Sequence, residues 1–134
     1  MRSIRLPWLL MVVLAGSACY SIIGPELTLP PDAVQTDPLA EYAEWYMEVE
    51  ECTGVEGDFD AVRWFEVPHQ RWWDPVWEQF AVGTWRSPHD IYVAEPRLGD
   101  EGIVKHEMVH DVLQGGQTYD ARFEQCSGIA HRSD

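Results

Sequence analysis

Residues 106–110 read H-E-M-V-H, and this run fixes the local structure more tightly than any other part of the chain. On an α-helix, residues four apart stand one turn apart on the same face. His106 and His110 can then reach one ion with both imidazoles, at about 2.0–2.1 Å each for zinc. The flanking residues support a helix over residues 100–114. Val104, Met108 and Val112 form one apolar row, and Val109 and Leu113 widen it. Lys105 is expected in solvent. Asp100 is placed to cap the start, Asp100 and Glu101 suit the positive end of the helix, and Gly115-Gly116 ends it.

The rest of the chain reads as a small α+β fold. Leu39, Tyr42, Tyr46 and Val49 recur at helical spacing across residues 39–53, with Asp37-Pro38 as entry and Gly54 as stop. Ala61 to Val67 alternates as a strand. Gln79 to Trp85 is a second strand interrupted by Gly83, and Ile91 to Ala94 a short third. A last short helix or turn is expected over residues 118–126. The expected order is an N-terminal helix, a small three-stranded sheet, the H-E-M-V-H helix and a short C-terminal segment.

The domain proper is expected at residues 39–134. Residues 1–18 have the parts of an export signal: Arg2 and Arg5, an apolar run from Trp8 to Leu14 too short to span a bilayer, then small residues. The stretch Leu14 to Cys19 resembles a bacterial lipobox, which implies acylation of Cys19 and a membrane surface as partner through that lipid anchor. The alternative is plain signal cleavage and secretion to the periplasm or beyond. Residues 19–38, with Pro25, Pro30, Pro31 and Pro38, read as a tether; the alternative is a partly ordered arm. With Cys19 set aside, Cys52 and Cys126 are left to pair in an oxidising compartment. Without the two signal arginines the balance is 7 − 23 = −16, which argues against a nucleic-acid partner.

H-E-M-V-H also carries chemistry. A glutamate next to the first histidine can take a proton from a zinc-bound water whose pKa the metal has lowered. The segment, with a helix and small sheet before it, resembles the zincin metallopeptidases over residues 39–126. The resemblance implies a minimal zincin-like domain that hydrolyses peptide bonds with a metal-bound water at the cell envelope. Zinc would be the cofactor, His106 and His110 its ligands, Glu107 the general base, and a peptide or protein the substrate. By the same analogy, Ile91 to Ala94 would line the cleft and pair with the substrate strand. The third ligand is less determined. Leu113 and Gly116 depart from the metzincin pattern. Tyr119-Asp120-Ala121-Arg122-Phe123 resembles the H-D-x-x-F segment of SprT-like and WLM-type peptidases, with Tyr119 in the place of the histidine ligand. Asp120 ranks first, then Glu124, then Tyr119, with His131 a distant choice. The alternative function is a non-catalytic envelope lipoprotein on a zincin scaffold, binding a partner or a structural zinc ion.

Six tryptophans lie outside the signal, three of them (Trp72, Trp73, Trp77) in the segment 68–77, which reads as a loop. They read first as cover for a thin core, and alternatively as an apolar subsite, a lid or a sugar-stacking platform. His69 and His89, each beside a proline, read as solvated loop histidines.

Overall fold

The computed structural model describes residues 29–115 and 120–128. The proposed signal, Cys19, Tyr119 and His131 therefore lie outside the described residues. The elements run β1 (Val34–Thr36), α1 (Tyr42–Thr53), β2 (Arg63–Val67), β3 (Trp72–Asp74), β4 (Gln79–Ala81), β5 (Gly83–Arg86), β6 (Asp90–Ala94), α2 (Glu101–Leu113) and α3 (Ala121–Ser127). Four strands form a mixed sheet in the order β1-β2-β6-β5, and β3 and β4 form a separate hairpin. The class is α+β, as expected; the expected strand Gln79 to Trp85 is split into β4 and β5 in different sheets, the expected loop 68–77 holds β3, and the main sheet has one more strand than the sequence suggested.

The added strand is β1, at the end of the expected tether. Val34–Thr36 pairs antiparallel with Glu66–Trp64 of β2, so the last part of the expected tether belongs to the sheet. Pro38 is not the first residue of α1. The helix begins at Tyr42 after Glu41, which makes no side-chain cap, and the backbone N–H of Tyr42 donates to Leu39 O instead. At the other end Gly54 takes φ 70 and returns its N–H to Glu50 O, the left-handed stop that glycine allows.

The helices cover one face of the sheet. Tyr42, Tyr46 and Val49 of α1 meet Trp64, Ile91 and Val93 of the sheet, and Val104, Met108, Val109 and Val112 of α2 close the core. The row read from α2 is thus its buried face. Lys105 departs from expectation. It is only 8% exposed, drawn in by Glu101 one turn away, at 2.6 Å, and by Glu48 of α1. Its aliphatic stem can pack while the ammonium meets two carboxylates. On the opposite face Val67, Trp72, Tyr92 and Ala94 form a smaller cluster, and Phe65 stacks on Tyr92 at 4.4 Å.

Cys52 and Cys126 form a disulfide with Cα atoms 5.6 Å apart, tying α1 to α3 across 74 residues. A bridge of this kind fits an oxidising compartment. Among the described residues no helix is long and apolar enough to cross a membrane.

Candidate metal centre

Asp100 caps α2 by accepting from Ile103 N at 3.3 Å, and the helix carries His106 and His110 on one face with ring centroids 5.2 Å apart. The segment ends at Gln114, one residue before the expected glycines, with φ 51 and its N–H returned to Asp111 O and His110 O. This turn fixes the second imidazole. The Nδ1 of His110 lies 3.0 Å from Gly115 O; a carbonyl only accepts, so Nδ1 is the donor and Nε2 is left for a metal. Burial lowers the pKa of His110, with the Gly115 bond acting the other way, which favours the neutral imidazole that metals need.

Phe123 of α3 packs on both rings, 5.1 Å from His106 and 4.4 Å from His110. The indole of Trp85 lies nearly parallel to the His110 ring at 6.2 Å. The pair is therefore held between α3 and the edge strand β5.

Glu107 sits one residue round the helix, only 6% exposed, against β5. A Cβ at Gly83 would come within 2.9 Å of Glu107 Oε1, so the glycine that interrupts the strand pattern is what lets the carboxyl approach the sheet. Burial pushes the Glu107 pKa up to about 8; Arg86 and the backbone N–H of Trp85 pull it down, and Asp74 adds to the rise. A carboxyl held near that value carries its proton at neutral pH, so a cation bound beside it, which lowers a carboxyl's pKa, would be needed to free it as a base.

The strand beside this site is β5. The expected cleft strand, Ile91–Ala94, is instead internal, parallel to β2 and antiparallel to β5. Its uninterrupted apolar run is buried on both faces, which is the pattern of an inner strand and not of an edge.

The third-ligand candidates are placed elsewhere in role. Asp120 caps α3, accepting from Arg122 N at 3.0 Å. The Arg122 guanidinium, 2.6 Å from Asp120 Oδ2, holds the Asp120 pKa down at about 2. Glu124 is exposed on α3, while its neighbour Phe123 takes the face toward the histidines. Among the described residues, no three His, Cys, Asp or Glu side chains converge as a metal-binding group. The fit to zinc thus rests on two imidazoles on one helix face, one with its Nε2 freed by a carbonyl, and a buried carboxyl alongside.

Asp111 was not singled out from sequence and is the most connected polar group near the pair. It is 1% exposed. Its carboxylate accepts from Tyr46 Oη at 2.7 Å and Trp85 Nε1 at 3.0 Å, and lies 3.0 Å from His89 Nδ1. His89 is accordingly not a free loop histidine. Asp111 ties α1, β5 and the β5–β6 turn to the residue after His110, and in doing so holds Trp85 on the His110 ring. Its adjacency to the motif, on the face turned away from the pair, was the available signal. Asp74, also 1% exposed, similarly meets Arg86 at 2.7 Å. No protein-family profile, curated protein or solved structure matches this chain.

Proposed function

We propose that this is a zinc-dependent peptide hydrolase acting at the cell envelope, held to a membrane surface by an acylated Cys19. The carrying observation is the His106–His110 pair at 5.2 Å on one face of α2, with Glu107 buried beside it against the edge strand.

A bound zinc ion supplies Lewis-acid activation of a water and of the scissile carbonyl. The protein's own residues do the rest. His106 and His110 hold the ion. The Gly115 carbonyl and the Trp85 ring fix the orientation of His110, as a good ligand requires. With zinc held there, Glu107 would be the residue to accept the water's proton and pass it to the leaving amine. Its burial keeps competing water away and sets its basicity. Tyr119, next to Asp120 in the sequence, is a further ligand choice; Asp120 serves if it exchanges Arg122 for the metal.

A second reading has its own support. The engagement of Asp120 by Arg122 suits a scaffold that binds a structural zinc ion or a partner without turnover. The test is zinc content and peptide-library hydrolysis by residues 20–134, beside Glu107→Gln and a His106→Ala/His110→Ala double variant. Hydrolysis lost in Glu107→Gln with about one zinc per chain retained supports the peptidase. Zinc without hydrolysis in the wild type supports the scaffold. A wild type that takes up no zinc removes both metal readings.

A further inference from the structure

Apolar side chains are unevenly exposed on this molecule. Of seven large hydrophobic residues that stand open to solvent among the described residues, four lie on the β3–β4 hairpin: Trp73 (52%), Val76 (49%), Trp77 (58%) and Phe80 (56%). The hairpin is not loose. Trp73 and Phe80 are cross-strand partners and meet edge to face at 5.5 Å. Trp72, between them and the sheet, is buried in the smaller core cluster, and Asp74 is locked to Arg86. One side of the hairpin is thus fastened to the fold; Trp73 and Phe80 stand on the other, and Val76 and Trp77, exposed in the turn that joins the strands, extend this aromatic ridge to the hairpin's tip. Exposed aromatic ridges of this kind mark interaction sites.

Three observations point to the occupant. First, the ridge is Trp and Phe with one cation: the Arg71 guanidinium lies 4.2 Å over the Phe80 ring. Indole rings favour the boundary between acyl chains and headgroups, and a long basic side chain can lie along apolar surface with its charge among phosphates. Second, the chain enters the described structure beside the ridge. Leu29, Pro30 and Pro31 line the same groove of about 1060 Å³ as Val76 and Trp77. The nine residues 20–28 separate Leu29 from Cys19, and the ten steps between them span at most about 35 Å, so an acyl chain on Cys19 would keep the hairpin within reach of the bilayer. Third, the ridge lies on the sheet face opposite the helices, so contact there leaves the His106–His110 face open.

We infer that the β3–β4 hairpin is a membrane-docking edge, with Trp73, Val76, Trp77 and Phe80 entering the interfacial layer of a lipid bilayer beside the chain's anchor. Of the three observations only the second rests on the reading of Cys19 as the anchor, and none rests on the zinc reading. The balance of −16 outside the signal argues against binding anionic lipid through a basic patch, so insertion is apolar and zwitterionic lipid suffices.

The experiment uses residues 20–134, which lack Cys19 but retain every described strand and helix and the disulfide. Co-sedimentation with phosphatidylcholine vesicles is read beside tryptophan fluorescence with a lipid-borne quencher. The wild type sediments, its emission shifts blue, and the quencher reaches it. Trp73→Ser/Trp77→Ser lowers the partition coefficient about tenfold or more, with circular dichroism unchanged. Phe80→Ser lowers it less, and Met47→Ser, exposed on α1, leaves it unchanged. No sedimentation of the wild type overturns the inference, as does an equal loss in Met47→Ser. Binding of an apolar peptide, lost in the double tryptophan variant while vesicle binding is absent, assigns the ridge to a protein partner and overturns it too. Acylation of Cys19 is read separately, by mass spectrometry of the exported chain. Vesicle binding with an unmodified Cys19 would sink the anchor reading and spare the ridge.

Discussion

On the helix side of the sheet, charged groups are buried with partners; on the hairpin side, large apolar groups stand exposed. Glu107, Asp111 and Lys105 all lie under 9% exposed, and each has a defined contact. Trp73, Trp77 and Phe80 stand more than half exposed on a hairpin whose other face is packed. Both arrangements run against the usual partition of polar and apolar residues. The difference lies in what each can tolerate. The helix side depends on specific hydrogen bonds and a covalent tie, so single changes there should be costly. The hairpin side depends on a few packed residues beneath the ridge, so the ridge itself should be dispensable for folding.

The sharpest break of that contrast is the disulfide. Cys52→Ala/Cys126→Ala opens a loop of 74 residues, for which the chain-entropy relation gives about 4–5 kcal/mol. In a domain this small that is a large share of total stability. Urea denaturation of oxidised wild type against the double variant should show the loss, and the variant should release α3 first. A difference below about 1 kcal/mol would mean that Phe123 and the α2 contacts hold α3 unaided.

Next is Asp111→Ala. It strands Tyr46 Oη, Trp85 Nε1 and the His89 ring together, at about 1–3 kcal/mol for each buried group left unsatisfied. Tyr46 keeps its bond from Asp58 N at 3.2 Å, so a total of about 3 kcal/mol is expected. Asp111→Asn should cost less, because its side-chain oxygen still accepts. If His110 is a ligand, zinc affinity should fall in both, measurably beyond what a surface variant such as Glu44→Ala shows in competition with a chelator.

The same contrast sorts what could be read from sequence. The helix side was legible because its signal is periodic. Val104, Met108 and Val112 mark the buried row, and His106 and His110 fall on another face by arithmetic alone. Both cysteines were legible by count. What escaped was set by long-range pairing. Gly83 looks like a strand interruption until Glu107 is placed against it, and Ile91–Ala94 carries the apolar run of an inner strand without showing that β2 and β5 are the strands that flank it. Lys105 looks solvated until Glu48, 57 residues earlier, is found beside it. Asp111 reads as an ordinary polar position on a helix because its partners come from residues 46, 85 and 89. On the hairpin side, W-W-D-P-V-W shows only that aromatics are close in sequence. Pairing with β4 decides that Trp72 turns inward and Trp73 outward.

A pH series sharpens the comparison further. In the chelated, metal-free domain the folded-state pKa of Glu107, about 8, lies above its ordinary value of 4.5. The folded state therefore holds that proton more tightly than the unfolded chain. The stabilisation is complete below about pH 4.5 and is lost as pH rises toward 8, by an amount on the order of a few kcal/mol. Wild type minus Glu107→Gln isolates it, since the amide cannot ionise. The difference in unfolding free energy should fall steadily between these two pH values and level off above. A flat difference would mean that Trp85 N–H and Arg86 offset the burial completely.

The smallest effect is expected where the surface looks most aromatic. Trp77 is 58% exposed, and removing it leaves Trp72 and the Asp74–Arg86 pair in place. Trp77→Ser should change unfolding free energy by less than about 0.5 kcal/mol. Trp72→Ala, one face away and 6% exposed, should cost about 3 kcal/mol or more through the cavity it leaves. The pair forms an internal control: both are tryptophans on one hairpin, one packed in the smaller core cluster and the other exposed in the turn. If Trp77→Ser destabilised the domain as much as Trp72→Ala, the ridge would be part of the core. Its exposure would then be a cost of folding and not a surface kept open for a partner.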